Sequence, residues 1–454
     1  MTRVLVPVAA IMIAFAALGL PAAARADATV QSSTVESGYP RDLTFHLTAT
    51  ATSEITDVSL SYSLTGRGST ALAKPETPPS GTNVDVSVKV DTNNGNNFIP
   101  VGSEFVYKWE ITTADGSVTI TPEQKYLFLP PNQEWKSVQN DFMTVYYHGD
   151  REQLANEYLA AGAETYDQIG KGLLKTQLEQ IPVKVIMFAD EDEMSQAQQG
   201  RGATYDAATT TCGTKHTNDI VYVIPVECGS PDRTDTLRHE FGHILNQTAG
   251  EGVLSKLPAW LDEGTAVYAQ TSPGGYETAF NAAARAGRLI PFEQMGTPSS
   301  DPRLVGVFYG EAWAMVKYLV DKGGPDKYAE FFATIKKGTR FDQALQQVYQ
   351  FDLAGFEKEF LAAIGAQAAP TPAPTQRPQQ AAPTEAPTRS ASQATNSNSD
   401  DDDGVGVGTI AIFGVAILFA LLAVLAFLLA MMLQNNRARS GGPPPPPPPP
   451  ASGP

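Results

Sequence analysis

Two histidines, His239 and His243, stand four residues apart in the stretch LRHEFGHILNQ (237–247), and Glu240 directly follows the first. On an α-helix, residues i and i+4 share a face, so both imidazoles can reach one ion. Glu240 then lies about 100° round the helix, where its carboxylate can reach a water held by that ion without being a ligand itself. The competing reading is an amphipathic helix that carries two incidental histidines. Hydrolysis at a zinc ion with two histidine ligands needs a third protein ligand and one open position. Twenty residues after His243, Glu263 offers a carboxylate within LPAWLDEGTAVYAQ (257–270).

These side chains meet only if two helices are turned back on each other beside a supporting layer. The intervening QTAGEGVLSKLPA (247–259) has the length and the Gly and Pro content to reverse the chain. Upstream, IPVKVIMF (181–188) and DIVYVIP (219–225) read as buried strands, so the order strand, strand, helix sets the histidine helix against a sheet. The second of these strands is the expected edge on which an extended peptide pairs. WKSVQNDFMTVYYHG (135–149) reads as a further strand pair, and 151–175, with Leu154, Tyr158, Ala161 and Tyr166, as a helix.

Residues 27–131 follow a different pattern. DLTFHLTATA, ITDVSLSYSL, NVDVSVKVD and EFVYKWEITTADGSVTI alternate apolar with polar side chains, and ADGS marks a hairpin turn. Such strands imply a β-sandwich of the immunoglobulin or fibronectin kind. His46 lies in one of them and reads as structural or exposed. No reactive constellation occurs there, which leaves an accessory module.

The chain has 454 residues and a composition that shifts along its length, so two folded domains with appendages are expected. Residues 1–26 have a basic Arg3, an apolar run and small Ala24 and Ala26 before a cut, the pattern of a signal peptide. Residues 367–408 form a Pro, Ala and Thr-rich stalk with an acidic end. Residues 409–433 are apolar throughout and long enough for a transmembrane helix, with Arg437 and Arg439 on the cytoplasmic side. The tail, 434–454, carries the run Pro443 to Pro450, either a ligand for a cytoplasmic partner or low-complexity sequence. A net charge of −17 argues against nucleic acid. The two cysteines, Cys212 and Cys228, follow the signal peptide into an oxidising compartment and are expected to pair, at about 3 kcal/mol of stabilisation.

The zinc motif together with Glu263 resembles the gluzincin metallopeptidases, and WLDEGTAVY is most similar to the peptidase MA-like family. FYGEAWAMVKYLVDKGGPDKYAEFFATIKKG and FDQALQQVYQFDLAGFEKEF resemble that family's helical C-terminal part, so the likeness covers roughly 133–365. The resemblance implies His239, His243 and Glu263 as ligands of one zinc ion and Glu240 as general base. Thermolysin-type relatives place an aspartate four residues after the third ligand to orient a histidine; here that position is Val267. An orienting group must then come from Asp235 or a backbone carbonyl. Tyr309, Tyr268 and His216 are candidates to stabilise an oxyanion, Tyr309 first for its YGEAW context. Asn246-Gln247-Thr248 matches a glycosylation acceptor, but within a helix the match reads as incidental.

The fold class expected is therefore multidomain. An all-β immunoglobulin-like sandwich (27–131) is followed by an α+β gluzincin-like metallopeptidase domain (132–366) and a single transmembrane helix. The function expected is a cell-surface zinc metallopeptidase acting on peptides or proteins. Two other readings stay open: a retired peptidase-like adhesion protein, and a zinc hydrolase of a non-peptide amide.

Overall fold

The alternating side chains of the N-terminal region do form strands. A computed structural model describes residues 27–366 except 96, 200–211, 229 and 299–300. Strands β1 (Thr29–Gly38), β2 (Asp42–Thr50) and β5 (Asn83–Asp91) make an antiparallel sheet in the order β1-β2-β5. A second sheet runs β4-β3-β6-β7, from β3 (Ile55–Leu64), β4 (Thr70–Ala73), β6 (Glu104–Thr113) and β7 (Val118–Ile120), while β8 (Gln124–Leu127) also pairs with β6. Every second residue of β2 and β6 is buried: Leu43, Phe45 and Leu47 face Phe105, Tyr107 and Trp109 in one core. Trp109 Nε1 donates to Ser33 Oγ at 3.2 Å, giving the buried indole a partner. The expected ADGS turn joins β6 to β7, with Gly116 at φ +81°.

The third sheet has the order β12-β13-β11-β10-β9. Its members are β9 (Trp135–Gln139), β10 (Met143–His148), β11 (Val183–Met187), β12 (Gly213–Lys215) and β13 (Ile220–Val223). β10, β11 and β13 run parallel, with antiparallel β9 and β12 at the two ends. Parallel strands buried on both faces read as continuous apolar runs. Here Val183, Val185, Met187, Val221 and Val223 point into the helical core, while Ile186, Phe188, Ile220, Tyr222 and Ile224 belong to the core of the β-rich region.

The helices are α1 (Glu152–Thr165), continued by a π-helical stretch (Tyr166–Leu173), α2 (Glu191–Gln196), α3 (Asp235–Gly250), α4 (Ala259–Tyr268) and α5 (Gly275–Arg285). They are followed by α6 (Pro302–Lys336), broken at Gly324, α7 (Phe341–Tyr349) and α8 (Leu353–Ala363). Leu237, Phe241, Ile244 and Leu245 form the apolar stripe that seats α3 in the helical core with Val221 and Val223. Cys212 and Cys228 are joined as expected, their Cα atoms 6.2 Å apart.

The expected fold class needs correction. In place of an immunoglobulin-like sandwich followed by an α+β metallopeptidase domain and a transmembrane helix, the described chain has an N-terminal β-rich region and a helical C-terminal domain, which share a hydrophobic wall. Tyr222 Oη donates to the Val101 carbonyl across that wall at 3.2 Å. At Gly102 the φ of +87° favours glycine, and a Cβ there would also press on the tip of Ile186, 2.9 Å from its Cδ1. Among the described residues no helix is long and apolar enough to cross a membrane. The signal peptide, stalk, transmembrane helix (409–433) and tail of the sequence reading lie outside the described residues.

Candidate active site

α3 presents His239 and His243 one turn apart, and α4 crosses it to deliver Glu263. One ligand atom from each of the three lies within 4.8 Å of the others, the only such His, Cys, Asp or Glu group among the described residues. Glu263 Oε2 is 3.3 Å from His239 Nε2 and 3.4 Å from His243 Nε2. Donor atoms held about 2.0–2.1 Å from one tetrahedral ion stand roughly 3.3–3.4 Å apart, so both distances from Glu263 match those of zinc ligands, and the donor types suit that ion. The side chains are 12%, 12% and 16% exposed, and Glu263 Oε2 has no hydrogen-bond donor. A buried carboxylate oxygen in that condition is a position prepared for a cation. Burial works to raise the Glu263 pKa, but the attraction of His243 and His239 wins and holds it well below the usual carboxylate range. Burial likewise opposes charge on His243, and Asp262 and Glu263 override it, raising the imidazole well above its ordinary value.

The supports of this group differ in part from those the sequence implies. Asp235 does not orient a histidine. Its Oδ1 accepts from the Thr271 amide and its Oδ2 from Thr271 Oγ1, both at 2.7 Å, and Ser230 Oγ also donates to it, so it ties the loop after α4 to the first turn of α3. The carboxylate beside the metal set belongs to Asp262, whose Oδ1 is 3.0 Å from His243 Nδ1, a charge contact short of a fully aligned hydrogen bond. Asn246 is fully buried and its Nδ2 donates to both Asp262 Oδ1 and Asp262 O at 2.9 Å. That burial removes Asn246 as a glycan acceptor.

Among the oxyanion candidates, Tyr309 is brought close, its ring 6.0 Å from that of His239. Tyr276 stacks on Tyr309 at 5.1 Å, and its hydroxyl is pushed up first by burial and then by Glu263 and Glu240. No motif marks Tyr276; it reaches the site because α5 packs on α6. His216 is elsewhere, its ring 4.0 Å from Tyr222 and 5.5 Å from Phe98 at the wall with the β-rich region. Tyr268 packs at the end of α4 against the helical core. β13, expected to be an edge strand, is instead flanked by β11 and β12; the edges of this sheet among the described residues are β12 and β9, and β12 is the one beside α3. Gly213 of β12 lies against Glu240, where a Cβ would come within 2.9 Å of Glu240 Cγ and 2.5 Å of Thr236 Cγ2.

Two ligand-bearing helices, a downstream acid and the helices behind them call for comparison with known families. Residues 175–366 match the peptidase MA superfamily. The family resemblance read from WLDEGTAVY is thereby borne out, and this part of the chain is peptidase-like. The peptidase MA region takes in β11 to α8, so it carries both histidines, both acids and Tyr309. β9, β10 and α1 lie upstream of it although they complete the same sheet and core. No curated protein matches the chain. Among solved structures, the sulfane dehydrogenase SoxCD from Paracoccus pantotrophus is 18% identical over 20% of this chain and 23% of its own, with a TM-score of 0.14. A polysaccharide deacetylase from Bacillus cereus is 13% identical over 38% of this chain and 54% of its own, with a TM-score of 0.17. The chain thus spans about a quarter and about half of their lengths.

Proposed function

We propose that the peptidase MA region is a zinc-dependent peptidase in which His239, His243 and Glu263 hold the metal and Glu240 is the general base. The observation that carries this reading is the convergence of the three donor atoms within 4.8 Å, with a buried Glu263 oxygen that faces both histidine nitrogens yet makes no aligned hydrogen bond. A zinc ion bound there would polarise a peptide carbonyl and lower the pKa of a water to near neutrality. Glu240 takes the proton of the attacking water and passes it to the leaving amine nitrogen. The open edge of β12 accepts the substrate main chain in extended form and sets its carbonyl over Glu240. Tyr309, beside His239, and Tyr276, stacked on Tyr309, donate toward the carbonyl oxygen as it gains charge. The Cys212–Cys228 bridge at the start of β12 supports work in an oxidising compartment outside the cytoplasm.

The test is zinc content and cleavage of a mixed peptide library, measured for the wild type and Glu240→Gln. One zinc per chain in both, with cleavage by the wild type alone, is the outcome expected. Absence of zinc from the wild type sinks the reading. Zinc in both without cleavage moves the function to the binding or non-peptide hydrolase alternatives.

A further inference from the structure

We propose that Asn246 and Asp262 form a positioning pair for His243, doing from the residue before the third ligand what Val267 cannot do from four residues after it. The inference rests on the zinc reading above. A histidine that gives Nε2 to a metal must carry its proton on Nδ1, and an acceptor there fixes both tautomer and ring plane. His243 is placed for this: Nε2 faces Glu263 at 3.4 Å, and Nδ1 faces Asp262 Oδ1 at 3.0 Å, a charge contact that a small turn of either side chain aligns as a hydrogen bond. Neither histidine Nδ1 makes a fully aligned hydrogen bond, but among the described residues only that of His243 has a carboxylate oxygen against it, the ion pair of His239 being made through Nε2. Asp262 is itself held, because one amide nitrogen, Asn246 Nδ2, donates to its carboxylate and its main-chain carbonyl, each at 2.9 Å. Asn246 stands on the ligand helix three residues beyond His243, and Asp262 directly precedes Glu263. A single contact between α3 and α4 therefore sets the rotamer of Asp262, the plane of His243 and the register of Glu263.

The experiment measures the zinc dissociation constant of the full chain by chelator competition. It compares the wild type with Asp262→Asn, Asp262→Ala, Asn246→Ala and the double variant Asn246→Ala/Asp262→Asn, beside the melting temperature of each metal-free protein. Asp262→Asn keeps the shape and removes the charge, and is expected to weaken zinc binding 10- to 100-fold. Asn246→Ala is expected to weaken it less, and the double variant no more than Asp262→Asn alone, because Asn246 acts through Asp262. Asp262→Ala serves if the asparagine variant misfolds. Metal-free melting unchanged with weakened zinc binding supports a positioning role. Unchanged zinc affinity in a folded Asp262 variant overturns the pair while leaving the peptidase reading intact. A wild type that binds no zinc overturns both.

Discussion

At the scale of single residues, the protein is strict about volume at the site and about charge in the helical core. Gly213 has no room for a methyl group beside Glu240 and Thr236. Gly213→Ala is therefore expected to displace the Glu240 side chain and cut peptide hydrolysis at least about 10-fold with zinc content unchanged; equal activity in the variant would show that β12 can yield. Glu311 illustrates charge. Burial pushes its carboxyl up to about 8 although its Oε2 accepts from the Ile290 amide at 2.9 Å. Below the ordinary value of 4.5 the group is protonated in both folded and unfolded chains and is neutral in effect. As pH rises from there to about 8 the unfolded chain ionises first, so stability is lost across that window. Glu311→Gln is expected to melt above the wild type at pH 8 and with it at pH 4, read by calorimetry. The shared face of His239 and His243 was legible in the sequence because their spacing is a local helical property, and Glu263 through the family resemblance of its surroundings. Asp262 and Tyr276 were not, because their positions depend on how α4 crosses α3 and how α5 meets α6.

At the scale of elements, close helix contacts hold His239, His243 and Glu263 together. A Cβ at Gly264 would lie 2.3 Å from the Ala312 carbonyl oxygen, so α4 touches α6 backbone to backbone directly beside Glu263. Gly264→Ala is expected to cost about 3 kcal/mol or more in denaturant unfolding, and to weaken zinc binding by shifting α4. A loss below 1 kcal/mol would mean that α6 gives way easily. Sequence patterning served the long elements well, since β2, β6 and the α3 stripe each show their period over two or more turns or strand repeats. It failed for β12, whose three residues are too few to show any period, and so the peptide edge was assigned to β13. The continuous apolar runs of β11 and β13 did carry a further message: a strand apolar on both faces needs a layer on each, and one layer is the β-rich region.

At the scale of the whole molecule, the β-rich region and the peptidase MA region are joined by chemistry as well as by chain. His216 sits at their wall against Tyr222 and Phe98, and burial lowers its pKa from 6.5 to about 4. The unfolded chain takes up that proton first, so stability is full above 6.5 and is lost as pH falls toward 4, by about 3 kcal/mol at the limit. His216→Phe is expected to lose less melting temperature than the wild type between pH 7 and pH 4; a parallel decline would place the acid sensitivity elsewhere. The shared wall also bears on ancestry and engineering. A gene fragment starting at β9 would leave Ile186, Phe188, Ile220, Tyr222 and Ile224 facing water, a sticky surface prone to aggregation. Recombination cannot trade the front half for an unrelated cassette unless the newcomer brings a matching apolar face. The described chain is thus expected to fold as one piece, and a library that shuffles it should cut at loops away from the wall.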